Sequence, residues 1–177
     1  PQPRRKTGRQ DHTADPCQPV GPTEARRGAG CHLVHEAGGG HYDLERRRAL
    51  RGGDPSIGLI RMCNPQNPTG RVLQADQLTR LVELALGHDI TIVSDEIHYD
   101  LVHPGAEHVP TLIIPGASTC TIALTSGIKT FAIGGVRCAV AVFGDERLRD
   151  RFDTVPGHLL PVPNRPGCEA PLAAWDT

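Results

Sequence analysis

The sequence predicts an α/β fold built around a mostly parallel sheet. Short, almost wholly apolar segments of strand length recur between residues 30 and 143, and an amphipathic helix lies between two of them. Strands of that composition are buried on both faces, which is typical of parallel sheets flanked by helices. The 177 residues are enough for one such domain.

The first part of the chain is predicted to be a leader without regular structure. Residues 1–28 hold five prolines and six basic residues, with little apolar periodicity. Strands are then predicted at residues 31–35 and 56–63. A short helix is predicted between them, from Asp43 to Leu50.

The next helix has the clearest pattern in the sequence. Its apolar residues fall at positions i, i+3, i+4, i+7 and i+8, which places them on one face. They are Leu78, Leu81, Val82, Ala85 and Leu86. Gly87 follows them and is predicted to end the helix in the left-handed conformation.

Three further strands are predicted, at residues 90–93, 119–124 and 137–143. A helix is predicted to begin at Asp145 and to carry Leu148 and Phe152 on one face. Residues 156–166 are predicted to form a loop, and residues 169–175 a last helix. The expected division is a main domain over residues 29–155 and the start of a further region over residues 156–177.

Composition excludes several classes of protein. The longest apolar run is six residues, 138–143, which is too short for a membrane span or a signal-peptide core. The net charge of −1 gives no general attraction to nucleic acid or to anionic lipid. The six cysteines show neither a C-x-x-C motif nor zinc-ligand spacing, so we expect no metal site and a reducing, cytoplasmic location.

Lysine is rare in this chain. Only Lys6 and Lys129 are lysines among nineteen basic residues, and all the others are arginines. A primary amine can form a Schiff base, whereas a guanidinium cannot. Lys129 lies in the predicted domain and is therefore a candidate for amine chemistry.

Polar clusters follow three of the predicted strands, at residues 64–70, 94–98 and 125–129. Ligands collect at the carboxyl ends of strands in open sheets of this kind. These ends and the start of the next strand offer an amide, a carboxylate, a hydroxyl, an amine and a guanidinium. Their sources are Asn67, Asp95, Ser126, Lys129 and Arg137. That set suits pyridoxal phosphate, which needs a Schiff-base lysine and an acidic partner for its ring nitrogen.

Each residue alone also has an ordinary structural interpretation. Asp95 could cap the turn that follows it, and Asn67 between prolines could only form a turn. Ser126 could likewise cap a turn, and His98 could be a structural or solvent-facing histidine. Lys129 could lie on the surface. Arg137 could be a salt-bridge partner, but the order of the residues on strand ends favours a shared site.

The motifs that carry these residues resemble a known family. Residues 67–70 (NPTG), 95–98 (DEIH), 126–129 (SGIK) and Arg137 resemble the large domain of fold-type I pyridoxal-phosphate enzymes, in the class I/II aminotransferase family. The spacings of 28, 34 and 8 residues fit that family, and the resemblance covers residues 30–175. The chain looks most like the cystathionine β-lyase-like branch. The resemblance implies a three-layer α/β sandwich, of which this chain would hold part of the large domain.

The resemblance implies two central roles. Lys129 would form an aldimine (a Schiff base) with the cofactor and would then move the α-proton of the substrate. Asp95 would pair with the pyridine nitrogen and keep it protonated.

The other roles that it implies concern binding. Asn67 would hydrogen-bond the phenolic oxygen of the cofactor ring, and His98 stands where many relatives carry a tyrosine that reaches the same oxygen. Ser126 and Arg137 would hold the phosphate.

The implied function is a pyridoxal-phosphate-dependent C–S β-lyase that acts on an amino acid. An aminotransferase with the same site is the first alternative, because the visible residues serve both reactions. A non-catalytic truncated remnant is the second. Relatives in the family are dimers, so a homodimer is expected for the full-length protein, with no nucleic-acid or membrane partner.

Overall fold

A five-stranded sheet, with its strands in chain order, forms the centre of the fold. The computed structural model describes residues 29–32 and 57–176. The strands are β1 (Ala29–His32), β2 (Ile57–Cys63), β3 (Thr91–Asp95), β4 (Thr121–Thr125) and β5 (Val140–Phe143). Strands β1 to β4 are parallel, and β5 pairs antiparallel with β4. The predicted α/β fold around a mostly parallel sheet is confirmed.

Two predicted elements lie outside the described residues, namely the leader over residues 1–28 and the helix from Asp43 to Leu50. The predicted strand at 119–124 begins instead at Thr121, because residues 117–119 form a 3₁₀ turn. The predicted start of the last strand at Arg137 is wrong. Arg137 follows a 3₁₀ turn and has φ 51°, a left-handed conformation that an extended strand cannot contain, so β5 begins at Val140.

Helix α1 (Ala75–Gly87) is the predicted amphipathic helix. Its inner face buries Leu78, Val82 and Ala85, whereas Leu86 is 47% exposed. The prediction that Gly87 is the left-handed cap is wrong. The helix continues through Gly87, and the left-handed residue is Asp89 with φ 54°. Aspartate tolerates that conformation better than most side chains, so the chain can reverse there.

One face of the sheet packs against α1 and against the connection between β3 and β4. That connection, residues 96–120, holds two 3₁₀ turns where the other described parallel crossover holds α1. The buried apolar core between these layers consists of Ile60, Met62, Leu73, Leu78, Val82, Ala85, Ile90, Ile92, Ile114, Ala117 and Cys120. Each large aliphatic side chain buried there stabilises the fold by about 1.5–3 kcal/mol.

The opposite face of the sheet is less covered by the described residues. Successive side chains of a strand point to opposite faces, so Arg61 and Asp95 point away from the core that Ile60 and Ile92 enter. Arg61 is exposed and Asp95 is partly buried. Arg61 and Asp95 therefore lie on the face that α1 does not cover, whereas Ser94 lies on the core side.

A buried polar cluster fixes the chain directly after β3. One oxygen of Glu96 accepts hydrogen bonds from the Ser94 hydroxyl (2.7 Å) and the Thr111 N–H (3.0 Å), and the other lies 3.3 Å from His108 Nε2. Burial acts to raise the pKa of Glu96, but hydrogen bonds from His108, Thr111 and Ser94 outweigh it, and the pKa lies below its ordinary value. The cluster holds the long connection against the end of β3.

Two helices follow the sheet. Helix α2 (Glu146–Asp153) begins one residue after the predicted start at Asp145, which caps it: the Asp145 carboxylate accepts the N–H of Arg147 at 2.8 Å. Helix α3 (Arg165–Trp175) begins four residues earlier than predicted. Asn164 caps it by accepting the Gly167 N–H at 2.7 Å. Proline is tolerated in a first helical turn, so residues 165 and 166, which were predicted to end the loop, belong to the helix.

Among residues 29–32 and 57–176, no helix combines the length and the apolar character that a bilayer crossing requires.

The packing of α1 can be tested with two identical substitutions. Leu78 is fully buried, so Leu78→Ala should lower the free energy of unfolding by about 2–5 kcal/mol. Leu86 has the same side chain on the same helix but is 47% exposed, so Leu86→Ala should cost less than about half as much. Urea unfolding of the variants measures both values, and equal losses would contradict the assignment of the buried face.

The Glu96 cluster predicts a stability loss in acid. Because the pKa of Glu96 is lower in the folded chain than its ordinary value of 4.5, its contribution is complete above that pH and is lost as the pH falls through the folded value. Glu96→Gln should lower the free energy of unfolding at pH 7 by about 1–3 kcal/mol. Below pH 4.5, the free energy of unfolding of this variant should fall less than that of the parent chain.

Glu107→Gln is the matched control, since Glu107 is an exposed carboxylate in the same connection. Unfolding curves between pH 3 and pH 7 should separate the two variants. An unchanged acid dependence in Glu96→Gln would show that the buried carboxylate does not stabilise the fold.

Candidate functional site

The carboxyl ends of β2, β3 and β4 lie side by side at one edge of the sheet. Two backbone hydrogen bonds continue the alignment beyond the strands. The Asn64 N–H donates to the Asp95 carbonyl at 2.9 Å, and the Glu96 N–H donates to the Leu124 carbonyl at 2.8 Å. The antiparallel β5 starts at this same edge. The three predicted polar clusters and the segment before β5 therefore meet there.

Asp95 ends β3 and has a cationic neighbour on the adjacent strand. Its Oδ2 lies 3.5 Å from the guanidinium of Arg61, and its Oδ1 accepts the Ile97 N–H at 3.4 Å. The side chain of Asp95 is 15% exposed. Arg61 was not predicted as part of the site. The signal was present, because Arg61 is the one charged residue in the apolar sequence of β2.

The loop after β2 is held by its own side chains. Asn64 is fully buried and accepts the Leu73 N–H at 2.8 Å, while the Gln66 side chain accepts the Thr69 N–H at 3.0 Å. Asn67 lies exposed in the middle of this loop. Its side-chain amide makes no hydrogen bond to another described residue and is available to a ligand.

His98 lies in a tight turn directly after β3. The Tyr99 N–H donates to the Glu96 carbonyl at 3.0 Å, which begins the turn. The Nδ1 atom of His98 is buried and has no hydrogen-bond partner in the described part of the chain. The hydroxyl of Thr130 donates to Asp100 at 2.9 Å and joins this turn to the loop after β4.

The loop between β4 and β5 carries the remaining three predicted site residues. Ser126 is buried, donates its hydroxyl to the Cys138 carbonyl and accepts the Ile128 N–H at 3.2 Å. Lys129 and Arg137 are exposed. Ser126 thus ties the start of this loop to its end, and Lys129 lies between the two tied points.

Gly127 lies in a position that is tight for a side chain. A Cβ atom there would lie 3.2 Å from the rings of both Phe131 and Trp175. Trp175 belongs to the end of α3, so this helix packs against the start of the Lys129 loop. The close approach explains why a glycine separates Ser126 from the rest of the motif.

Cys63 is the last residue of β2, and it is partly buried. Burial raises the pKa of Cys63, and its thiol donates to the Pro65 carbonyl at 3.2 Å. A protonated thiol is a poor nucleophile. Burial therefore makes Cys63 a weaker nucleophile than an exposed cysteine.

The structure places all six predicted residues at or next to this edge. Asp95 and Ser126 lie at adjacent strand ends, and the others lie in the loops that leave the edge. No hydrogen bond or ion pair joins any two of these six side chains within residues 57–176. Over the described residues, no three His, Cys, Asp or Glu side chains are grouped so that they could hold a metal ion.

Comparison with known proteins places the chain in a family. Residues 26–175 match the family described as aminotransferase class I and II. Cystathionine beta-lyase PatB of Bacillus subtilis is 36% identical over 111 residues, which are 62% of this chain and 28% of that protein.

Two solved structures are similar to the described fold. The PLP-bound C–S lyase of Staphylococcus hominis has a TM-score of 0.64 and 28% identity, over 77% of this chain and 34% of its own. N-Succinyldiaminopimelate aminotransferase of Mycobacterium tuberculosis has a TM-score of 0.68 and 27% identity, over 80% and 37%.

The chain spans about a third of the length of the curated relatives that it matches. Its match to the family model, by contrast, extends over most of its own residues, and both the sheet and the strand-end motifs agree with it. The chain belongs to the class I and II aminotransferase family.

Proposed function

We propose that this chain is the cofactor-holding part of a pyridoxal-phosphate-dependent C–S β-lyase that acts on an amino acid. The observation that carries the proposal is the position of Asp95, Ser126 and Lys129, which follow adjacent parallel strands and meet at one edge of the sheet. Relatives named as cystathionine beta-lyase and as C–S lyase support the lyase over other activities of the family.

The side chains at this edge fit the cofactor. The aldehyde group of the cofactor condenses with a primary amine, and Lys129 is the only lysine among the described residues. The ring nitrogen needs a carboxylate, which Asp95 supplies from a position set by two contacts. The buried Nδ1 of His98, unpartnered among described residues, is a polar atom that a ligand could satisfy.

The phosphate would be held at the ends of the loop between β4 and β5. Arg137 provides the planar cation that suits a phosphate group. Ser126 already donates its hydroxyl to Cys138, so it would have to turn from that carbonyl in order to donate to a phosphate oxygen. The tied loop brings Ser126 and the segment of Arg137 close together.

Bound pyridoxal phosphate supplies an electron sink for the α-carbon of the substrate. Lys129 would hold the cofactor through its amine and, once released, move the proton at that carbon. Asp95 would keep the proton on the ring nitrogen. Asn67 and His98 would orient the ring through its phenolic oxygen.

An aminotransferase is the second candidate function. The same residues serve both reactions, and N-succinyldiaminopimelate aminotransferase shares the fold of this chain. A remnant that does not catalyse either reaction is the third. We further propose a cytoplasmic homodimer for the full-length protein, as the family resemblance and the free thiols suggest.

Lys129 should be the preferred site of covalent labelling by pyridoxal phosphate. The neighbouring residues should hold the cofactor beside its amine and raise the effective concentration well above that in solution. Borohydride reduction followed by peptide mapping should find the pyridoxyl group on the peptide that contains Lys129. Lys129→Arg should remove that label.

Lys6 provides the internal control, because it is the only other lysine and precedes the family match. Labelling of Lys129 at least about tenfold above Lys6 would support an organised site. Equal labelling of the two lysines would favour the remnant.

Replacing Asp95 should weaken cofactor retention. Asp95→Asn removes a charged partner of the ring nitrogen, so the dissociation constant measured by cofactor absorbance should rise about 10- to 100-fold. Asp76→Asn is the matched control, since Asp76 lies exposed on α1, which packs on the face of the sheet opposite to Asp95. If both variants retain the cofactor as the parent chain does, Asp95 is not its partner.

The two candidate activities give different products from a cysteine S-conjugate. A lyase should release pyruvate and ammonia, because the β-substituent leaves and the remaining imine hydrolyses. An aminotransferase should instead yield the corresponding oxo acid together with aminated cofactor. Product analysis by mass spectrometry separates them, and the absence of both products would support the remnant.

A further inference from the structure

Two cysteines lie on segments that pack against each other beside the proposed phosphate-binding loop. Cys138 is partly buried and stands between Arg137 and β5, and Cys168 is exposed on the first turns of α3. Burial first, and then the neighbouring Cys168 thiol, raise the pKa of Cys138.

The backbone on both sides of this pair is closely packed. A Cβ atom on Gly167 would lie 2.5 Å from the Val136 carbonyl, so the start of α3 and the segment before Cys138 are in direct contact. The Asn164 side chain accepts a hydrogen bond from the Gly167 N–H at 2.7 Å, and the Ser126 hydroxyl donates to the Cys138 carbonyl. The two segments that carry the thiols are therefore held together by contacts that do not involve sulfur.

We propose that Cys138 and Cys168 form a reversible disulfide with each other. The oxidant is an oxidised low-molecular-weight thiol, such as glutathione disulfide. The bond would fasten α3 to the segment that carries Arg137. The proposal goes beyond the proposed function and needs no bound cofactor. Only one consequence rests on that function, namely that the disulfide would restrain a segment that binds the cofactor phosphate.

The chemistry consists of two thiol–disulfide exchanges. The thiolate of Cys168, the more exposed of the two, attacks one sulfur of glutathione disulfide, forms a mixed disulfide and releases one glutathione. The thiolate of Cys138 then attacks the Cys168 sulfur and releases the second glutathione. Two protein thiols are oxidised to one disulfide, and one glutathione disulfide is reduced to two glutathiones.

The other described thiols are placed differently. Cys63 donates to the Pro65 carbonyl at 3.2 Å, and Cys120 is 7% exposed and lies 3.6 Å from the Ala117 carbonyl. Neither interacts with a second thiol in the described part of the chain, so oxidation should select the Cys138–Cys168 pair among these four.

The test is oxidation of the purified chain with glutathione disulfide, followed by trypsin digestion without reductant and mass spectrometry. Trypsin cleaves after Arg137, Arg147 and Arg151 but not between Arg165 and Pro166. The proposal predicts that peptides 138–147 and 152–177 are joined and together lack two hydrogens. Cys168→Ser, at an exposed position, should abolish the joined species and keep the reduced chain's Tm.

A second readout uses thermal unfolding. The disulfide closes the chain between α3 and the segment before β5, so oxidation should raise the Tm of the parent chain by about 5–10 °C. Dithiothreitol should reverse the rise, and Cys168→Ser should show none. Glutathione retained on Cys168, or joined peptides that contain Cys17 or Cys31 instead, would overturn the proposal.

These outcomes are separate from those of the proposed function. The joined peptides form or fail to form without pyridoxal phosphate in the sample. Failure of Lys129 labelling in the reduced chain would contradict the proposed function and leave the disulfide assignment intact.

Discussion

The register of three parallel strands determines where every residue of the candidate site lies. The bonds from Asn64 to Asp95 and from Glu96 to Leu124 extend the sheet past its last regular residues and align three loops at one edge. A shift of one residue along β3 would send Asp95 into the core and Ser94 to the site, because side chains alternate between the two faces. The buried cluster around Glu96 opposes such a shift, since Glu96 and Ser94 are bound to each other on the core side.

The site and the core thus use alternate positions of the same strand. Ser94 and Glu96 are buried and satisfy each other and the connection that follows, whereas Asp95 faces outward towards the guanidinium of Arg61. The core side gives rigidity, and the outer side offers charge to a ligand. The loop after β4 shows the same division. Ser126 is buried and donates its hydroxyl to a backbone carbonyl, whereas Lys129 is exposed. A rigid support beneath accessible reactive groups is what a site for a bound cofactor requires.

Much of the fold follows from apolar periodicity, which is why β2, β3, β4 and α1 could be predicted close to their limits. The predicted start of β5 fails because Arg137 takes a left-handed conformation after a glycine-rich turn, and sequence alone does not define that reversal. The start of α3 was missed because prolines indicate loops but also suit first helical turns. The order of site residues along the chain was readable, but the contact between Arg61 and Asp95 depends on cross-strand register and lies beyond a single sequence.

The antiparallel direction of β5 has a consequence for how the chain acquires its structure. Because β5 starts at the same edge where β2, β3 and β4 end, one continuous stretch from residue 64 to residue 137 contains all the candidate ligand-binding groups. The backbone bonds that align this edge join residues 31 and 28 positions apart, across parallel crossovers. Parallel pairing of that kind forms slowly, because the intervening loops must close before the contacts are made. We therefore expect the candidate site to form together with the sheet and not ahead of it.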